Sequence, residues 1–126
     1  MVQPLSNLNP GDSKPTEISF PDNSKVLITT WKAILVEVAR WLISNNLLNA
    51  SPCPIPFKDD SRRYLISASN PTHGTGVPFR TDSHKVYKID GFYITANYGG
   101  KDLIKYTQRI IKQVGQDPVR FKVRLS

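Results

Sequence analysis

The chain has 126 residues, a formal net charge of +7, 39% apolar residues and 10% aromatics, which suits one ordinary domain and argues against wholesale disorder. No apolar run reaches the roughly 18 residues of a membrane span, and Met1 to Pro15 lacks the basic and apolar segments of a secretory signal. The single cysteine, Cys53, excludes an intrachain disulfide and points to a reducing, cytoplasmic compartment, while the basic excess points to an acidic partner, nucleic acid ahead of a membrane surface.

Met1 to Pro15 contains three prolines, a glycine and several Asn and Ser without an apolar period. It reads as a flexible leader, with residues 16–126 forming a single domain. Ile18 and Phe20, then the turn cluster Pro21-Asp22-Asn23-Ser24, then Val26 and Ile28 suggest a short hairpin or a bent strand. From Trp31 the period changes: Trp31, Ile34, Leu35, Val38 and Leu42 form the stripe of an amphipathic helix, with Thr29 or Thr30 as its N-cap. Asn45-Asn46 and then Pro52 end the helix within a few residues of Asn49. Trp41 lies about 80° from Trp31 around the helix, and both rings are expected in the core. Three alternating prolines, Pro52, Pro54 and Pro56, impose an extended connector.

Arg63 to Ala68 reads as a strand with Tyr64, Ile66 and Ala68 on one side, and Asn70 to Ser83 as a long loop. Asp90-Gly91 between Lys88-Ile89 and Phe92-Tyr93-Ile94 is a type I′ hairpin signal that pairs Ile89 with Phe92, Lys88 with Tyr93 and Tyr87 with Ile94. A second helix is predicted over Lys101 to Val114, with Leu103, Thr107, Ile110, Ile111 and Val114 as its stripe and Gly115 just past its end. Val119, Phe121, Val123 and Leu125 then alternate with Arg120, Lys122 and Arg124, predicting a strand.

The predicted order is β-α-β-β-β-α-β. It implies a two-layer α+β sandwich, a mainly antiparallel sheet with both helices on one face. In element order alone it is similar to the ferredoxin-like architecture of many RNA-binding modules. Their basic-Gly-aromatic-Gly/Ala-Phe-Val signature is absent from this sequence.

The charge is unevenly placed. Residues 1–84 hold 8 basic and 7 acidic side chains, whereas residues 85–126 hold 9 basic and 3 acidic ones. Within that last third, Lys101, Lys105, Arg109 and Lys112 share one side of the second helix, as a row following a phosphate backbone would. Arg120, Lys122 and Arg124 share the polar face of the last strand. Lys88 and Tyr93 join them if the hairpin is its neighbour, setting a ring for base stacking among charges for phosphates. The alternative is ordinary chemistry: a solvated helix face, and an edge strand protected by charge.

Arg62, Arg63, Arg80 and His73 are possible extensions of such a surface. His73 and His84, with Arg80, could perform acid–base cleavage of RNA, but two histidines eleven residues apart have no diagnostic spacing. Asp59-Asp60 has no third acid at a useful spacing to hold a divalent cation, and one Cys with two His does not complete a zinc site. Nucleotide-binding glycine motifs are absent, so no cofactor is expected. The expectation is a small non-enzymatic protein that binds DNA or RNA through its phosphate backbone, with a larger complex, such as a mobile-element or defence apparatus, as its setting. A module docking an acidic protein is the alternative, and an RNase-type toxin using His73 and His84 the third.

Overall fold

The computed structural model describes residues 2–9, 13–49, 55–56, 64–67, 87–95 and 98–126, the side chains of Tyr87 and Lys88 excepted. Two antiparallel four-stranded sheets and two helices make an α+β fold. The first sheet contains β1 (Val2–Pro4), β2 (Pro15–Ser19), β3 (Lys25–Leu27) and β8 (Lys122–Leu125), in the spatial order β1-β8-β2-β3. The second contains β4 (Ile55–Pro56), β5 (Tyr64–Ser67), β6 (Tyr87–Ile89) and β7 (Phe92–Ile94), in the order β4-β5-β7-β6. The helices are α1 (Trp31–Ser44) and α2 (Gly100–Gln113), which pack against each other.

Local chemistry accounts for the elements. Thr30 caps α1 by accepting a hydrogen bond from the Ala33 amide at 3.2 Å. The buried residues of α1 (Ile34, Leu35, Val36, Val38, Ala39, Leu42 and Ile43) form a stripe wider than an amphipathic helix on one layer requires, as contact with more than one neighbour demands. In α2, Thr107 turns its hydroxyl back to the Leu103 carbonyl at 2.7 Å, which lets a polar residue lie fully buried. Past its end Gly115 takes a left-handed φ of 80°. Asp90 and Gly91 both have positive φ, and the hairpin has the register Ile89↔Phe92, Lys88↔Tyr93 and Tyr87↔Ile94 that the type I′ signal implies.

The first sheet differs from the sequence expectation in three ways. Residues 2–8 are an integral part of it and not a flexible leader: β1 pairs with β8, and the 3-10 turn Leu5–Asn7 sends Leu5 into the core, followed by Leu8. The Leu5 amide donates to the Phe121 carbonyl at 2.7 Å. Second, β8 begins at Lys122, because Asp117 and Pro118 build a 3-10 turn over Pro118–Arg120. The Asp117 carboxylate accepts from the Val119 amide at 3.0 Å, and Val119 is left 50% exposed. Third, β8 lies between β1 and β2, so the strands divide into two sheets and the β6–β7 hairpin is not its neighbour.

Nonetheless one core serves both sheets and both helices. Ile18 and Val123 enter it from the first sheet, and Ile55, Ile66 and Ile94 form a continuous row across the second. Leu65, on the opposite face of β5 from Ile66, is equally buried, so this strand is covered on both sides. An aromatic joint connects α1 to the first sheet. Trp41 stacks on Phe20 with centroids 5.3 Å apart, and Phe121 meets both rings edge-on at 5.5 and 6.1 Å.

Candidate nucleic-acid interface

The basic row of α2 follows from its own periodicity. Leu103, Ile104, Thr107, Ile110 and Ile111 turn inward, which leaves Lys101, Lys105 and Lys112 exposed on the opposite side. At 1.5 Å per residue these three span about 16 Å along the axis. None of the three has a hydrogen-bond or ion-pair partner among the described residues. The exposed Asp102 lies in the first turn, where the helix dipole favours a carboxylate.

Arg109 leaves the row. It is half-buried, and its Nε donates to the Pro56 carbonyl in β4 at 2.7 Å. A proline in this two-residue edge strand still offers its carbonyl, and Arg109 takes it. The guanidinium thus ties α2 to the second sheet.

The strand row is also reduced. Across the ladder Arg124 faces Glu17, and its Nε lies 3.7 Å from the Glu17 carboxylate. An exposed pair of this kind adds little stability but offsets the charge. Arg120 belongs to the 3-10 turn before β8 and has left the strand face. Lys122 does project outward, in a cross-sheet row that runs Pro4, Lys122, Ser19, Lys25. Lys25 is a cation that the charge pattern alone had not singled out. The alternation of Ile18 and Phe20 with Val26 and Ile28 signals it, since that register sets Lys25 opposite Ser19.

Lys88 and Tyr93 pair with each other in the second sheet and share no face with β8, and Tyr93 is half-buried. The α2 row and the outer face of the first sheet belong to different elements, each turned away from the shared core. Arg62, Arg63, His73, Arg80, His84, Asp59 and Asp60 lie outside the described residues, as does the side chain of Lys88. Among the described residues no three His, Cys, Asp or Glu gather as metal ligands, and no helix is long and apolar enough to cross a membrane.

Comparison with known protein families, curated proteins and solved structures finds no match.

Beside the sheet, Asp22 organises the turn between β2 and β3. Its carboxylate accepts from the Ser24 hydroxyl at 2.6 Å and the Ser24 amide at 3.0 Å, and from the Trp41 indole Nε1 at 3.3 Å. The Ser24 hydroxyl first, then the Ser24 amide and the indole, hold this carboxyl below its ordinary range. A depressed folded-state pKa stabilises the fold above the unfolded value of about 4, and that contribution disappears as pH falls through the folded value. Melting temperatures measured from neutral to strongly acidic pH should therefore fall less steeply in Asp22→Asn than in the parent chain. Parallel curves would deny Asp22 this role.

Proposed function

We propose that this chain is a non-enzymatic nucleic-acid-binding module that lays the Lys101, Lys105 and Lys112 face of α2 along a phosphate backbone. The observation that carries this reading is the exposure of three lysines on one helix face without an acid partner among the described residues. Such a row recognises charge and spacing, so it binds without strong sequence preference.

The test is the salt dependence of duplex binding. Three phosphate contacts give a slope near −2.7 in log affinity against log salt, or about a 40-fold loss of affinity between 50 and 200 mM salt. Lys105→Ala/Lys112→Ala should leave one contact and about a 3.5-fold loss over the same range. Alanine suits the exposed positions of a helix, so the fold should persist. Equal slopes for the parent and the double variant would remove α2 from the account. Arg109 is unsuitable for this test because its loss would also release β4.

One observation favours a second reading, an acidic protein partner on the outer face of the first sheet. Leu27 is 80% exposed and Val2 47% exposed there, in the cross-sheet row next to that of Lys25 and Lys122. Leu27, the most exposed large apolar side chain among the described residues, would be the anchor of such a contact. Leu27→Ser would weaken a protein partner and leave duplex binding unchanged.

A further inference from the structure

Two recesses adjoin where the β2–β3 turn meets the 3-10 turn before β8, and Pro21 and Arg120 line both of them. The first, of about 350 Å³, presents the Trp41 ring, Pro21 and Leu47 together with the side-chain amides of Asn45 and Gln116. The second, of about 280 Å³, gathers Ser19, Asn23, Arg120 and Lys122. Among the described residues none of these four side chains has a partner, and the others that line the recess, Phe20, Pro21 and Val119, bring no carboxylate. Ser19 and Lys122 are cross-strand neighbours, and Asn23 is held beside them by a left-handed backbone at φ 71°. This is a set of hydrogen-bond donors and two cations whose chemistry suits an anion with several oxygens.

The first recess has a different chemistry. The Trp41 Nε1–H is already given to Asp22, so the indole offers ring surface. Asn45 gives its Nδ2 to the Trp41 carbonyl at 2.8 Å, and among the described residues neither its Oδ1 nor either side-chain group of Gln116 has a partner. The Asp22 carboxylate also lines this recess and repels an anion from it. The two recesses thus prefer opposite ends of one molecule, a planar heteroaromatic ring with polar edges and a phosphate.

We propose that they hold one nucleotide unit, its phosphate among Ser19, Asn23, Arg120 and Lys122 and its base against Pro21 and Trp41. Their combined size suits such a ligand. Lys101, Lys105 and Lys112 line neither recess, so this site stands independently of the α2 reading. The unit could come from a free nucleotide or from a nucleic-acid strand, and both present the same chemistry.

Amide and indole NMR signals of the full chain report on each recess separately. Adenosine 5′-monophosphate should move the Trp41 Nε1–H signal and the Asn23 and Lys122 amides together. Inorganic phosphate should move only the latter two and bind at least about ten-fold more weakly, since it lacks the base. Arg120→Ala/Lys122→Ala should weaken the monophosphate by at least about ten-fold, because two charge-assisted contacts are lost. Lys105→Ala/Lys112→Ala should leave its affinity unchanged.

An adenylate hexanucleotide titrated into that last variant distinguishes the sources. Tighter binding than the monophosphate assigns a unit of a strand, and equal or weaker binding assigns a free nucleotide. The proposal is overturned if the monophosphate leaves the Trp41 signal in place, if inorganic phosphate binds equally well, or if Arg120→Ala/Lys122→Ala binds as the parent does. Equal salt slopes for duplex binding by the parent and by Lys105→Ala/Lys112→Ala, with an intact monophosphate titration, would sink only the α2 reading.

Discussion

Phe121→Ala is expected to lower the unfolding free energy by about 3–5 kcal/mol, read from urea denaturation. The ring is 0% exposed and contacts both Phe20 and Trp41, so its removal opens a cavity at the joint between α1 and the first sheet. Its backbone is equally committed. The Phe121 amide donates to the Pro118 carbonyl, and its own carbonyl accepts from Leu5. Rigid backbone on both sides limits how far the site collapses around a smaller side chain, which places the loss toward the upper part of that range. Small domains have about 5–15 kcal/mol in total, so the variant should be partly unfolded at moderate temperature. Phe121→Leu keeps most of the volume and should lose far less. A loss below about 1 kcal/mol in Phe121→Ala would mean that the aromatic joint does not hold the layers together.

Leu5→Ala should have the second largest effect, about 2–5 kcal/mol. Leu5 is 0% exposed and lies in the same core as Ile18 and Val123. A chain shortened to begin at residue 9 should be destabilised at least as much, because it also loses Leu8 and leaves the outer edge of β8 unpaired. A dispensable leader would behave differently, and an unchanged melting temperature in the shortened chain would restore that view.

These two positions show where the sequence was readable. Periodicity revealed α1 and α2 because each buries a stripe that repeats over several turns. Asp90-Gly91 fixed the hairpin register because two consecutive positive φ values suit few residue pairs. Leu5 and Leu8 escaped notice because two apolar residues three apart, among prolines and asparagines, complete no period. Their burial depends on β8, more than a hundred residues further along the chain.

The candidate surface divides in the same way. Which lysines share the α2 face was legible from spacing alone. That Arg109 would turn to Pro56 was not, since the connector lies 53 residues earlier in sequence. Nor could alternation reveal that Glu17 would neutralise Arg124. Alternation tells which face of a strand is polar and is silent about its neighbours.

The position of β8 between β1 and β2 also has a kinetic meaning. The β2–β3 hairpin is local and can form on its own timescale of microseconds. The first sheet, however, can only be completed by joining segments about a hundred residues apart, a closure that slows folding. Until then β2 exposes an unpaired edge next to the ring of Phe20. The same arrangement fastens the distant segments together: Ser126 donates its amide to the Lys14 carbonyl at 2.9 Å, and its hydroxyl accepts from the Lys14 amide at 3.2 Å. Peeling β8 away would therefore part β1 from the β2–β3 hairpin in one event.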